Sequence, residues 1–199
     1  MESIQTAIAL LKQHSIRLVV FDMDQTAVAM HSRGQLRRTD LRDYLEHATP
    51  DFRQLVPALH QNGFFLAIAT HSDAAEFSEN KLDQNGCLVQ PETHILGEEL
   101  VRALLLYHFP QEMANSFGIV AYHPRVHAMG DQPAHRFKRR HMTQLLQQFQ
   151  VSPEHVLFFD DEPANVVDCN HTCHVKSVQV DSQHGFRLSD LLNALSEGN

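Results

Sequence analysis

The feature that most constrains the fold of this chain is a repeated pairing. A short apolar run is followed each time by a polar or acidic cluster. Ile16-Arg17-Leu18-Val19-Val20-Phe21 leads into Asp22-Met23-Asp24-Gln25-Thr26. Phe64 to Ala69 leads into Thr70-His71-Ser72-Asp73, and His155-Val156-Leu157-Phe158-Phe159 into Asp160-Asp161-Glu162. Continuous apolar runs of this length read as strands buried on both faces, which calls for a parallel sheet covered by helices on each side. Helical patterns fill the intervals, over Glu2 to His14, Asp51 to Gln61, Gly97 to Phe109, His135 to Gln150, Pro163 to Cys169 and Arg187 to Ser196. Further strands are expected at Gly118 to Tyr122 and Val175 to Val180, and Asp73-Ala74-Ala75-Glu76 reads as a capping box opening another helix. The expected fold is α/β, a Rossmann-like parallel sheet with helices on both faces. With no internal repeat or low-complexity linker, residues 1–199 read as a single domain.

Composition narrows the function classes. The formal charge of −8, with 24 acidic against 16 basic residues, argues against a nucleic-acid binder, which needs a positive field toward phosphates. No apolar run approaches the ~20 residues needed to span a bilayer. The start, Met1-Glu2-Ser3-Ile4, lacks the basic and apolar regions of a signal peptide, so a cytoplasmic location is expected; export by a specialised bacterial secretion system is compatible with the same sequence. Three cysteines are too few for a disulfide framework. Cys169, His171, Cys173 and His174 cluster, but their spacing fits no standard structural zinc pattern, and a helix end and turn before a strand is the simpler reading.

Ligands of doubly wound sheets sit beyond the carboxyl ends of the strands, where these polar clusters fall. Four carboxylates gathered in one crevice repel by several kcal/mol at an effective dielectric of ~20. Such a cluster persists when a cation neutralises it, and hard carboxylate oxygens suit Mg²⁺. Taken singly, each piece has a bland reading: an Asp behind a strand is often a turn residue or a helix cap, and Asp-Asp-Glu-Pro resembles a helix start.

Taken together, Asp22-x-Asp24-x-Thr26, Thr70, Lys138 and Asp160-Asp161 resemble the four motifs of the haloacid dehalogenase (HAD) superfamily. The resemblance covers about Leu18 to Val180. The paired aspartates of the first motif point to its phosphatases, and Phe158 to Glu162 with Asn165 is similar to its small magnesium-dependent members. Gln25 stands where many members carry glycine. Lys138 is one of four lysines and alone lies at the family's usual distance before the last acidic motif.

The resemblance implies a set of roles. Asp22 is the expected nucleophile, forming an aspartyl-phosphate, and Asp24 the general acid that becomes the base for the attacking water. Thr70 and nearby backbone N–H groups are expected to hold a phosphoryl oxygen. Lys138 is expected to supply positive charge to the phosphoryl group and pair with Asp160. Mg²⁺ is expected against Asp22, the Asp24 backbone carbonyl and one of Asp160 and Asp161, with Asp161 favoured. His71 and Ser72 are further substrate-side candidates; Ser72 also reads as a cap for the following helix. Arg136, Arg139, Arg140 and His141 read either as an anionic docking patch or as a solvated helix face. His31 and Arg33, with Gly34 as a turn point, fall where the superfamily forms a flap.

Neither the stretch from Asp22 to Thr70 nor that from Thr70 to Lys138 is long enough for a full cap domain. An open site admits bulky phosphorylated substrates, a phosphotyrosine side chain of a protein among them. The rival readings are a small-metabolite phosphatase of the same chemistry and a non-catalytic binding module on the same scaffold. The oligomeric state is not readable from the sequence.

Overall fold

A computed structural model describes residues 2–78, 80–125, 127 and 132–196. In chain order its elements are α1 (Glu2–Gln13), β1 (Leu18–Phe21), α2 (Leu41–Glu46), α3 (Pro50–Gln61), β2 (Phe65–Thr70), α4 (Gly97–His108), α5 (Gln111–Ser116), β3 (Gly118–Ala121), α6 (Arg139–Phe149), β4 (Val156–Asp160), α7 (Pro163–Asp168), β5 (Lys176–Gln179) and α8 (Leu188–Ser196). The strands form one parallel sheet in the order β3-β2-β1-β4-β5, with β1 at the centre.

Side chains alternate across each strand, and the apolar runs supply both faces. Val19, Phe21, Leu66, Ile68, Leu157 and Phe159 enter one core, packed with residues of α1, α3, α4 and α8. Leu18, Val20, Ala67, Ala69, Val156 and Phe158 enter the other, beneath α6 and Cys169. Four of the phenylalanines in the first core pack on one another. Phe21 stacks on Phe159 at 5.4 Å between centroids and meets Phe52 and Phe186 edge-on at 5.2 and 5.1 Å.

The strand register determines which polar residues meet. Phe21 lies opposite Ile68 on one side and Phe159 on the other, and the Asp22 N–H continues the ladder by donating to the Phe159 carbonyl at 2.8 Å. Asp22 and Asp160 are therefore neighbours one step beyond the last aromatic layer. Because Phe21 and Phe159 face the first core, the next residue on each strand faces the opposite side, where α6 begins.

Several elements depart from the sequence reading. The helix expected from His135 starts at Arg139, because Phe137 takes a left-handed φ of +52° and Pro133–His135 forms a separate 3-10 turn. Lys138 thus sits at the cap position of α6 rather than inside a helix. The Asp73-to-Glu76 segment opens only a 3-10 turn, Ala74–Ser78. Asp73 does accept from the Ala75 N–H at 2.9 Å, but the Glu76 carboxylate is taken by Lys81 instead of completing a capping box. The short helices α2 and α5 were absent from the sequence reading. Cys169–Cys173 forms one π-helical turn that ends in His174 at φ +56° and leads into β5, as a helix end and turn should.

Gly185 closes the turn before α8 in a left-handed conformation, φ +66°, and a Cβ there would lie 2.7 Å from the Thr26 carbonyl and from Thr49 Cγ2. The next residue, Phe186, donates its N–H to that same carbonyl at 2.8 Å. Gly185→Ala should therefore lower stability by about 1–3 kcal/mol, through strain and overpacking against the loop that carries the first motif. Urea denaturation checks this, and an unchanged midpoint contradicts it.

Candidate active site

Asp22, Asp160 and Asp161 each place a carboxylate oxygen within 4.8 Å of the others at the C-terminal rim of the sheet. Asp22 and Asp160 are buried, at 7% and 0% exposure, and Asp161 is half-buried. Lys138 enters from the α6 side. Its ammonium donates to Asp22 Oδ1 at 2.6 Å and to the Ala69 carbonyl at 2.7 Å, and lies 3.7 Å from Asp160 Oδ2. A lysine at 1% exposure is tolerable only because these oxygens surround it.

One ammonium does not neutralise three carboxylates. Burial pushes the Asp22 carboxyl up to about 8; Lys138 opposes this and Asp160 adds to it. Burial raises Asp160 too, and lifts Asp161 to about 6 with help from the Asp160 charge. Burial pulls the Lys138 ammonium down, but Asp22 and Asp160 outweigh it and hold the group above the ordinary lysine value. The donor set is thus three hard oxygens short of positive charge, which fits a divalent cation such as Mg²⁺. The two adjacent aspartates differ. Asp160 is already engaged by the Asn165 amide at 3.0 and 3.1 Å and by the Glu162 N–H at 2.9 Å.

Asp24 is built differently. Burial would raise its pKa, but hydrogen bonds from His31, Ser32 and Tyr44 outweigh it and hold the carboxyl below its ordinary value. Tyr44 and Ser32 lay outside the sequence reading of the site. Ser32 stands in the flap stretch already marked by His31 and Arg33. Tyr44 comes from α2, whose six residues are too few to leave a periodic signal.

Thr70 and Ser72 are both buried, and the Ser72 N–H donates to Thr70 Oγ1 at 3.1 Å. Ser72 does not cap the segment after it. Its hydroxyl accepts from the N–H of Gly97, at the start of α4, at 2.9 Å. His71 Nε2 donates to the Phe137 carbonyl at 3.0 Å, and His141 Nε2 to the Thr70 carbonyl at 2.9 Å. These bonds staple the segment around Lys138 to the end of β2. Of the four basic groups near Lys138, three are engaged elsewhere and do not form a docking patch: His141 is fully buried, Arg139 pairs with Asp168 at 2.5 Å, and Arg140 lies over the Tyr122 ring at 4.5 Å, while Arg136 is exposed.

These groups line a cleft of about 680 Å³ that also takes in His31, Arg33, Gly34, Glu76, Lys81, His123 and Phe137. Two excursions that line it, one carrying His31 to Gly34 and the other Glu76 and Lys81, are locked together. The Arg38 N–H donates to the Thr93 carbonyl, the Ile95 N–H to the Leu36 carbonyl, and Arg37 pairs with Asp83 at 2.5 Å.

The same architecture is found in solved structures. The N-terminal part of a Bacteroides fragilis protein, containing a phosphatase domain complexed with Mg, superposes with a TM-score of 0.51 at 14% identity over 96% of this chain. This chain spans 43% of that one. The HAD domain of effector protein Lem4 from Legionella pneumophila superposes at 0.50 and 12% identity, over 89% of this chain and 92% of that one. The chain has the haloacid dehalogenase fold. No family model and no curated protein matches the sequence. In the HAD fold described here, the motif residues Asp22, Thr70, Lys138, Asp160 and Asp161 stand together in one cleft.

The two stapling histidines give a measurable pH dependence. Burial pulls His71 down to about 3, with the Lys138 charge assisting, and pulls His141 well below the usual 6.5. Below pH 6.5 the unfolded chain binds protons that these folded rings refuse, so their contribution is complete above that pH and is lost as pH falls. His141→Gln should make the urea midpoint fall less steeply than in wild type between about pH 6.5 and 5. Parallel profiles contradict this.

Proposed function

We propose that this chain is a Mg²⁺-dependent phosphomonoester hydrolase that works through an aspartyl-phosphate on Asp22. The observation that carries the reading is the rim itself: three carboxylates within 4.8 Å of one another, one of them 2.6 Å from a buried ammonium. The Bacteroides domain of the same fold, complexed with Mg, supports the choice of metal.

Asp22 and Asp161, with the Asp24 backbone carbonyl, would hold the ion, while Asp160 keeps its bonds to Asn165 and Glu162 and faces Lys138. When bound, Mg²⁺ supplies the positive charge that lets an anionic nucleophile approach an anionic ester. Lys138 and the Thr70 and Ser72 end of β2 orient the phosphoryl oxygens. Asp24 takes up a proton as the anionic ester enters, whose negative charge raises the carboxyl's pKa; an Asp22 oxygen then attacks phosphorus, the ester oxygen departs with that proton, and the acyl phosphate forms. Asp24, now a carboxylate, takes a proton from the water that attacks the phosphoenzyme. Inorganic phosphate leaves, and Asp22 is restored.

The substrate we infer is a phosphorylated tyrosine side chain on a protein. The stretches between the site motifs are too short for a full cap domain, which leaves the cleft accessible to a bulky phosphorylated group. Phe137, 39% exposed, stands at its edge beside His71, and His71 lies 5.7 Å from His123 between ring centroids. An aryl ring can stack on that wall while its phosphate reaches the rim.

Asp22→Asn should fold and lose turnover by about a thousandfold or more. Excess EDTA should abolish wild-type activity and added Mg²⁺ restore it. Phosphate release from phosphotyrosine peptides, phosphoserine peptides and sugar phosphates reads the substrate class. Full activity in EDTA overturns the metal assignment, and a strong preference for sugar phosphates overturns the protein substrate.

A further inference from the structure

We infer that Cys169 and Cys173 form a peroxide-sensitive dithiol, a modification site at which hydrogen peroxide joins the two sulfurs in an intramolecular disulfide. Both are free thiols, and neither lines the acidic cleft. They occupy the first and last positions of the π-helical turn Cys169–Cys173, which joins α7 to β5. In a regular α-helix, residues four apart hold their Cβ atoms about 5–6 Å from each other, wider than the ~3.5–4.5 Å that a disulfide accepts. A π turn is wider, with bonds running five residues back, so the fourth residue on comes round almost directly over the first. This turn removes the obstacle that a regular helix sets to such a pair.

The two surroundings differ as a reactive pair requires. Cys169 is fully buried in the second core beneath α6, whereas Cys173 packs against the edge of that core and is half-buried. A small oxidant arriving from solvent therefore meets Cys173 first. The Cys169 thiol is hydrogen-bonded to the Cys173 sulfur; that bond, and the Arg139 charge, hold Cys173 below the ordinary thiol value against burial and Asp168. The same bond, with burial, pushes Cys169 up. Arg139 is fixed beside the turn by Asp168, and Thr172 Oγ1 donates to the same carboxylate at 3.3 Å. A half-exposed cysteine next to a guanidinium, with a second thiol in reach, is the environment in which thiols oxidise selectively.

The chemistry runs in two steps. The Cys173 thiolate attacks one peroxide oxygen, the O–O bond breaks, and the departing hydroxide takes up the proton that Cys173 released, leaving a sulfenic acid and water. The Cys169 sulfur then attacks the Cys173 sulfur. The S–S bond forms, the S–O bond breaks, and the hydroxyl leaves as a second water with the Cys169 thiol proton. The dithiol gives up two electrons, which the peroxide accepts. Because the second thiol is already in place, this step is intramolecular and outruns further oxidation to the sulfinic acid. The product locks the turn between α7 and β5.

Cys87 is exposed and is removed first, by Cys87→Ser, so that every thiol measured belongs to the pair. The folded protein is treated with a few equivalents of hydrogen peroxide, quenched in denaturant with an alkylating reagent, and read by intact mass and peptide mapping before and after dithiothreitol. We expect both thiols to become unavailable to the reagent, the mass to fall by two hydrogens, the bond to map within 169–173, and dithiothreitol to restore both thiols. Cys173→Ser in the same background should leave Cys169 alkylatable, and Cys169→Ser should stop at a sulfenic acid that dimedone traps. Two alkylatable thiols after peroxide overturn the inference, as do oxygen addition without a sulfur–sulfur bond and a bond between two chains. If Cys169→Ser fails to melt cooperatively, the Cys87→Ser parent and Cys173→Ser decide. None of these outcomes depends on the hydrolase reading.

Discussion

Three carboxylates and one ammonium are held together at the end of a buried sheet, and charge balance there governs the molecule's chemistry. Two unit charges 4 Å apart interact by roughly 4 kcal/mol at an effective dielectric of 20. Lys138 therefore compensates one carboxylate well and three poorly. The protein removes water from the cluster, places its lysine against Asp22, and leaves the remaining deficit facing an open cleft. In the proposed reaction a phosphoryl group would add more negative charge, so the deficit would have to be met before it binds. Burial and charge shortage act together: the first strengthens each electrostatic contact, and the second decides which ligand the site accepts.

The carboxylates within that cleft differ in their surroundings. Asp22 and Asp160 share a lysine, Asp161 is half open to the cleft, and Asp24 is enclosed by hydroxyls and an imidazole. Groups of one chemical type are thereby given different tasks by their partners. The histidines behind β2 belong to the same design. They contribute no charge, yet through carbonyl bonds they keep the Lys138 segment against the strand that ends in Thr70.

Much of the fold was legible because burial leaves a signature along the chain. Both-sided strands must be apolar throughout, so the residues behind them stand out, and Asp22, Thr70 and Asp160 were visible for that reason. What stayed hidden depends on tertiary contact. The amphipathic pattern of α6 continues backward past Arg139, but the left-handed Phe137 and the turn at Pro133 interrupt the backbone. Asp73 and Glu76 have the spacing of a capping box, yet Lys81 captures the glutamate and Gly97 packs close to the Ala74 backbone. Tyr44 lies in a six-residue helix, too short for periodicity, and its partner is twenty residues away in sequence. No local pattern announces such a pairing.

The register of β1 against β4 has a consequence for how this scaffold can vary. Asp22 and Asp160 are spaced by the ladder, whose strand separation of about 4.8 Å is a property of peptide hydrogen bonding. The excursions that border the cleft hang from that ladder without setting its dimensions. Their lengths and side chains can be exchanged while the Asp22 and Asp160 carboxylates keep their separation, so the centre of the rim is insulated from changes at its border, and only Asp24, which accepts from Ser32 and Tyr44, is tied to them.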